Sequence, residues 1–111
     1  MYYELAKPEK KAARAIIEKG VRREMEDNLR ELEAIITDWR RNNKDVKETY
    51  YNVYKTLTNF DKHLARRYDG MTGSRYLLTI ISQFQDGVVT DEDLSELLPA
   101  TQELVKRFKT L

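Results

Sequence analysis

The sequence predicts an all-α chain. One long N-terminal helix is followed by three or four shorter helices forming a helical bundle or head, and the whole is expected to be an elongated homodimer. Three observations carry this. Glycine and proline together number six in 111 residues, too few for an all-β chain, which needs a turn about every ten residues. Apolar residues recur at steps of three and four along most of the chain, the helical period. The first periodic stretch is also longer than a globule of this size.

That stretch opens at Pro8, which suits a first helical turn because its missing N–H is not needed there. Met1 to Ala6 before it read as a loose end. Ala13, Ile17, Val21, Met25, Leu29, Leu32, Ile36 and Trp39 then form one stripe. Glu18 before Arg22 and Glu26 before Arg30 support the helix at i,i+4. Gly20 is its weak point, costing about 1 kcal/mol relative to alanine. A helix over residues 8–41 would run about 51 Å, whereas a compact chain of this length has a diameter of roughly 35 Å. Its stripe must therefore continue onto something else. A second copy of the chain is the simplest candidate, with Met25, Leu29, Leu32 and Ile36 at the dimer interface. The alternative is a break at Gly20 that folds the first segment back.

Asn42-Asn43-Lys44 interrupts the pattern, and Asp45-Val46-Lys47-Glu48 is a capping box opening helix two. Helix two carries Tyr50, Val53, Tyr54, Leu57, Phe60, Leu64 and Tyr68, and Asp69-Gly70 ends it. Helix three begins between Thr72 and Ser74, holds Leu77, Leu78, Ile80, Ile81 and Phe84, and closes at Gly87. After the apolar link Val88-Val89, Thr90-Asp91-Glu92-Asp93 signals another helix start. Leu94, Leu97, Leu98, Leu104, Val105, Phe108 and Leu111 continue helically. Pro99 either kinks that helix or begins a fifth. The chain 1–111 reads as one helical domain.

Composition closes several chemistries. With no cysteine there is no disulfide, thiolate zinc site or thiol nucleophile. No apolar run reaches membrane-spanning length. Residues 1–20 lack a signal-peptide stretch, so the expected compartment is the cytoplasm. Asp86 to Leu94 resembles the second half of a calcium loop, but the loop's first and third positions would be Ser82 and Phe84, where a hard cation needs carboxylates. It reads as a capped turn, and no metal is expected. The single histidine, His63, precedes core Leu64, and Asp61 two residues away faces elsewhere on the helix. Neither paired carboxylates nor a glycine-rich phosphate loop is present. The reading is not an enzyme, with no catalytic residues and no cofactor.

Charge is uneven. Residues 7–23 carry seven bases against two acids, a net +5, and residues 86–103 carry six acids and no base, within a total of only +1. A basic helix end suits nucleic acid, and a nucleic-acid-binding helical protein using the first helix is the rival reading. The preferred reading is a solvated face with charge complementarity between subunits. Of seven tyrosines, Tyr50, Tyr51 and Tyr54 cluster at the start of helix two. Tyr50 and Tyr54 share a face with Leu57, so Tyr50 is assigned to the core. Tyr51 is turned about 100° away beside Lys55 and suits a partner interface.

Arg67-Tyr68-Asp69 precedes Ser74, and Ile80 to Phe84 lead through Asp86-Gly87-Val88-Val89 to Glu92-Asp93-Leu94 and a basic amphipathic tail. In the first helix, Lys19 followed by Arg23-Glu24-Met25 is similar to a Lys-x-x-x-Arg-Glu-Leu pattern. This layout resembles the fluorescence recovery protein family of cyanobacteria and its bacterial relatives over residues 16–111, with a longer link near residues 37–46 here. The resemblance implies an all-helical, non-enzymatic homodimer. Family members bind a photoactivated carotenoid protein and speed its return to the resting orange state, ending photoprotective quenching. Their working surface on helix two uses a Trp, a His-Asp pair and an Arg, which fall on Tyr51, Tyr54, Lys55 and Asp61. Only the first exchange keeps the chemistry, and two charges are reversed. Reversed charges repel an original partner. The resemblance thus implies a protein-binding regulator with the scaffold kept and the partner changed, possible partners being a carotenoid-binding protein or a relative of its C-terminal domain. Helix two and the head made by helices three and four would carry that surface.

Overall fold

The computed structural model describes residues 5–108. The order is α1 (Lys7–Asn42), α2 (Val46–Tyr68), a 3-10 turn (Gly73–Arg75), α3 (Tyr76–Gln85), α4 (Asp91–Leu94) and α5 (Pro99–Arg107). The all-α expectation with one long first helix is met. Residues 1–4 of the expected loose end, and Leu111 of the last helical stripe, lie outside the described residues.

α1 runs 36 residues without a break and has Pro8 in its first turn. It ends at Asn43, whose left-handed backbone (φ 49°) lets the chain reverse. The Asp45 carboxylate then accepts from the Glu48 N–H at 2.9 Å and starts α2. The two long helices lie side by side as a hairpin. Gly70 and Gly87, both at positive φ (69° and 73°), end α2 and α3. Thr90 and Asp93 cap α4 reciprocally, backbone to side chain in both directions. Pro99 begins a separate helix rather than kinking one. Ahead of it the Leu98 N–H donates to buried Glu9, at 3.3 Å from Oε1.

The core sits at one end of the molecule. Leu5, Ala13, Ile16 and Ile17 from the start of the chain pack with Leu77, Ile80, Ile81, Phe84, Val89, Leu94, Leu97 and Val105. α2 contributes no fully buried residue. The result is a head carried on a stalk, with extents of 54 × 26 × 26 Å and a radius of gyration of 17.5 Å, against about 13 Å for a compact chain of this length. The long dimension is the length of α1 itself. Among the described residues no helix is long and apolar enough to cross a membrane.

One expectation is corrected and one alternative falls away. Tyr50 is not core: it is 68% exposed. The stalk has only two helices, so α1 covers one side of α2, taking Val53, Phe60 and Leu64 to half-burial and leaving Tyr50 outside. Nor is Gly20 a place where α1 breaks or folds back. It is buried where α1 crosses α3, and a Cβ there would stand 2.1 Å from Gln83 Nε2. Gln83 is 0% exposed and donates to the Ile17 carbonyl at 3.1 Å and the Tyr68 hydroxyl at 3.0 Å. The helix accepts glycine's poor propensity because α3 needs the space.

Gly20→Ala therefore gains about 1 kcal/mol of helix propensity but displaces an amide holding two buried hydrogen bonds, each worth about 1 kcal/mol or more once its partner is left unpaired. The variant should melt about 4 °C or more below wild type in a thermal scan. A melting point at or above wild type would show that the close approach is not real.

Candidate functional site

At the neck, where stalk meets head, the Glu24 carboxylate of α1 holds three donors from α2. Arg67 Nη1 donates to Oε1 at 2.8 Å, His63 Nε2 sits 2.7 Å from the same oxygen, and the Tyr68 hydroxyl donates to Oε2. The other end of the nearly buried Arg67 guanidinium pairs with Asp86 after α3. Burial above all, and then the hydrogen bond to Glu24, pushes the Tyr68 phenol up to about 12. Three contacts on one carboxylate make Glu24 a clamp between α1 and α2.

A second lock starts at the neighbouring residue, about 100° round α1. Arg23 donates to both Asp93 oxygens, at 2.6 and 3.2 Å, and to the Val88 carbonyl at 3.1 Å. Lys19 stands 3.9 Å from the same carboxylate. The Arg23 hydrogen bonds hold the Asp93 carboxyl well below the usual carboxylate range, against the effect of its burial and with help from the Thr90 N–H and hydroxyl.

Sequence reasoning missed this site. Asp61, near His63 in the sequence, faces elsewhere on the helix, and it is Glu24, 39 residues away, that pairs with His63. A signal existed: His63 and Arg67 are spaced i,i+4 on the side of α2 that faces α1, next to Tyr68. The expected charge complementarity between subunits is also corrected in part, because Lys19 and Arg23 find Asp93 within the same chain. The motif residues Lys19, Arg23-Glu24 and Arg67-Tyr68 thus tie stalk to head.

The four expected partner-binding residues are strung along one side of α2. Tyr51 and Lys55 line one groove of about 510 Å³ with Asp45, Lys47, Glu48 and Asn52. Asp61 lies nearer the neck, in a separate groove of about 260 Å³ with Val21, Met25, Leu64, Ala65, Tyr68 and Asp69. Tyr54 is exposed between them. The structure brings Tyr51 to Lys55 but does not gather all four into one pocket. Of the expected dimer-interface residues, Leu29 is 65% exposed, Met25 44% and Ile36 43%, with Leu32 half-buried. Tyr50, Tyr54, Leu57 and Val46 of α2 are exposed as well. At the tip an apolar groove of about 320 Å³ is lined by Ile36, Trp39, Val46, Thr49, Tyr50 and Val53. The stalk thus has a long face of large apolar side chains with nothing over it in the single chain.

Fold and surface together define an elongated helical protein with a clamped head and a bare apolar stalk. Among solved structures it is similar to the Fluorescence Recovery Protein from Synechocystis sp PCC 6803, with a TM-score of 0.77, 19% sequence identity, and coverage of 96% of this chain and 99% of that one. The chain has that protein's fold. No protein-family model and no curated protein matches the sequence.

The Asp93 lock makes a signed prediction. A carboxyl whose pKa is depressed on folding contributes stability that is fully present above its unfolded pKa of about 3.9 and is lost as pH falls through the folded value. Asp93→Asn should cost about 1–2 kcal/mol at pH 7, at the low end because Arg23 is 43% exposed on its side chain. In urea titrations the gap between variant and wild type should be constant above about pH 5 and close below pH 4. A gap that does not change with pH would remove the ion pair as its cause.

Proposed function

We propose that this chain is a non-enzymatic, protein-binding regulator that works as a homodimer, its whole length acting as one helical domain. The observation that carries the reading is the uncovered apolar face of the stalk, on the fold of the Fluorescence Recovery Protein. Met25, Leu29, Leu32 and Ile36 form the dimer interface, joined by Tyr50 and Leu57. Burying such side chains is worth about 1.5–3 kcal/mol each, which is ample to drive pairing of copies. The partner surface on α2 is built from Tyr51, Tyr54, Lys55 and Asp61. Tyrosine gives a rigid contact area with a polar tip, and the charges choose the partner. The partner class is a carotenoid-binding protein or a relative of its C-terminal domain, one whose charges complement a lysine at 55 and an aspartate at 61. The protein acts in the cytoplasm without a cofactor. The basic-helix reading for nucleic acid is weakened by the engagement of Lys19 and Arg23 with Asp93 and of Arg22 with Glu18.

Light scattering should give about twice the 13.2 kDa chain mass, and Leu29→Glu, which places an unpaired charge in the seam, should give the single-chain mass with helicity intact. A wild-type monomer at micromolar concentration would sink the dimer. Mixed with a light-activated carotenoid protein, wild type should accelerate the red-to-orange return poorly, about a hundredfold less effectively than a family member with the full Trp, His, Asp and Arg set. Lys55→Asp should recover part of that loss. Full acceleration by wild type would show that the working surface lies elsewhere.

A further inference from the structure

The two Asp-Gly pairs that end helices share their chemistry and differ in their surroundings. Asp69-Gly70 follows α2 and Asp86-Gly87 follows α3, and the chain has no Asn-Gly pair. An aspartate before glycine is able to react with its own main chain. The glycine nitrogen attacks the aspartate carboxyl carbon, and no Cβ on the glycine blocks the approach. A C–N bond forms, the carboxyl C–O bond breaks, and the N–H proton leaves with the hydroxyl as water. A second water then opens the resulting succinimide at one of its two carbonyls. One opening restores aspartate. The other leaves isoaspartate, whose main chain runs through the former side-chain carbons. The step needs an unheld carboxyl, an unheld nitrogen and an aspartate backbone that can rotate.

The fold grants these conditions at Asp69 and withholds them at Asp86. Asp69 and Gly70 are both exposed, and Asp69 holds no ion pair among the described residues. Its backbone has already left the helix (φ −66°, ψ 143°). From Gly70 to Ser74 no backbone N–H donates to another backbone carbonyl among the described residues, so no ladder bond resists rotation there. At Asp86 the carboxylate is paired with Arg67. The Gly87 N–H donates to the Phe84 carbonyl at 3.1 Å, and the Asp86 and Val88 N–H groups on either side donate at 3.2 and 2.8 Å. Carboxyl, nitrogen and backbone are all engaged. We propose that Asp69 is a self-modification site, where this chain converts to isoaspartate, and that the Arg67 pairing and the α3 cap shield the same dipeptide at Asp86. The place gives the product its effect. Asp69 directly follows Arg67 and Tyr68, two of the three donors on Glu24. Isoaspartate there lengthens the joint between that clamp and the head. It also presents an exposed α-carboxylate, the group on which a carboxyl methyltransferase of the isoaspartate-repair class acts.

The two sites can be read separately in one sample. Trypsin releases Asp69 in the peptide Tyr68–Arg75 and Asp86 in the peptide Tyr76–Lys106. The full chain is aged at neutral pH, folded in one arm and in concentrated urea in the other. Isoaspartate in each peptide is then measured by electron-transfer fragmentation and by methyl transfer from labelled S-adenosylmethionine with an isoaspartyl methyltransferase. In the folded chain Asp69 should convert about tenfold faster than Asp86 or more, a ratio equivalent to about 1.4 kcal/mol of local opening at Asp86. In urea the two rates should come close together. Asp69→Glu keeps the charge but must close a larger ring, and should leave its peptide unconverted. A folded chain in which Asp86 keeps pace with Asp69, or in which neither converts while both do in urea, overturns the proposal. So does a ratio in urea as large as in the folded chain, because the fold is then not its cause. Isoaspartate persisting in the Asp69→Glu peptide overturns it as well.

Discussion

The Glu24 carboxylate is the point on which the architecture turns. It sits on α1 where the helix leaves the head, and Arg67, His63 and Tyr68 of α2 converge on it. Arg67 then passes the connection on to Asp86 behind α3. One acidic group thus fixes the register of the hairpin and the seat of the head together. Breaking such a nearly buried network from one side leaves charges stranded, and that penalty exceeds the net worth of the intact pair. The apolar core cannot do this work, because α2 places no side chain fully inside it. Polar contacts hold the second helix at the neck, and packing holds the head.

The division explains why the stalk can be so bare. Burial is concentrated where α1, α3 and α5 meet, so the head folds around its own core. The outer half of α1 and most of α2 are held by each other along one side only. Large apolar residues there are free to serve an assembly, and a two-helix layer presents them as a broad face rather than as a seam.

The course of the helices was legible because periodicity and caps are local. Pro8, Asp45, Gly70, Gly87 and Thr90 all punctuate the chain where their chemistry demands. The length of α1 was legible for the same reason, and it implied the elongated shape before any packing was known. What was not legible were facts of tertiary distance. Tyr50 fits an apolar stripe as well as Leu57 does, and only the absence of a third layer leaves it outside. Gly20 looks like a flaw until Gln83 arrives from 63 residues downstream. His63 and Glu24 carry no mutual signal in the sequence, since they meet only when α2 folds back. The exposed side of α2 was half legible: Tyr51 and Lys55 share a groove as their spacing suggests, but Asp61 is joined to Met25 of α1, which no spacing within α2 reveals.

The tie between Glu9 and the Leu98 N–H spans 89 positions, and the buried cluster joins Leu5 to Val105. During synthesis the hairpin is complete once α2 has emerged, since its contacts are antiparallel and its turn is short. The head must wait. Ile16 and Ile17 stay uncovered until α3 docks, and the start of α1 until α5 follows. Closing contacts of such separation is slow relative to helix pairing, and an uncovered apolar strip during that interval is open to wrong partners. α5, short as it is, therefore completes the cover over that apolar strip.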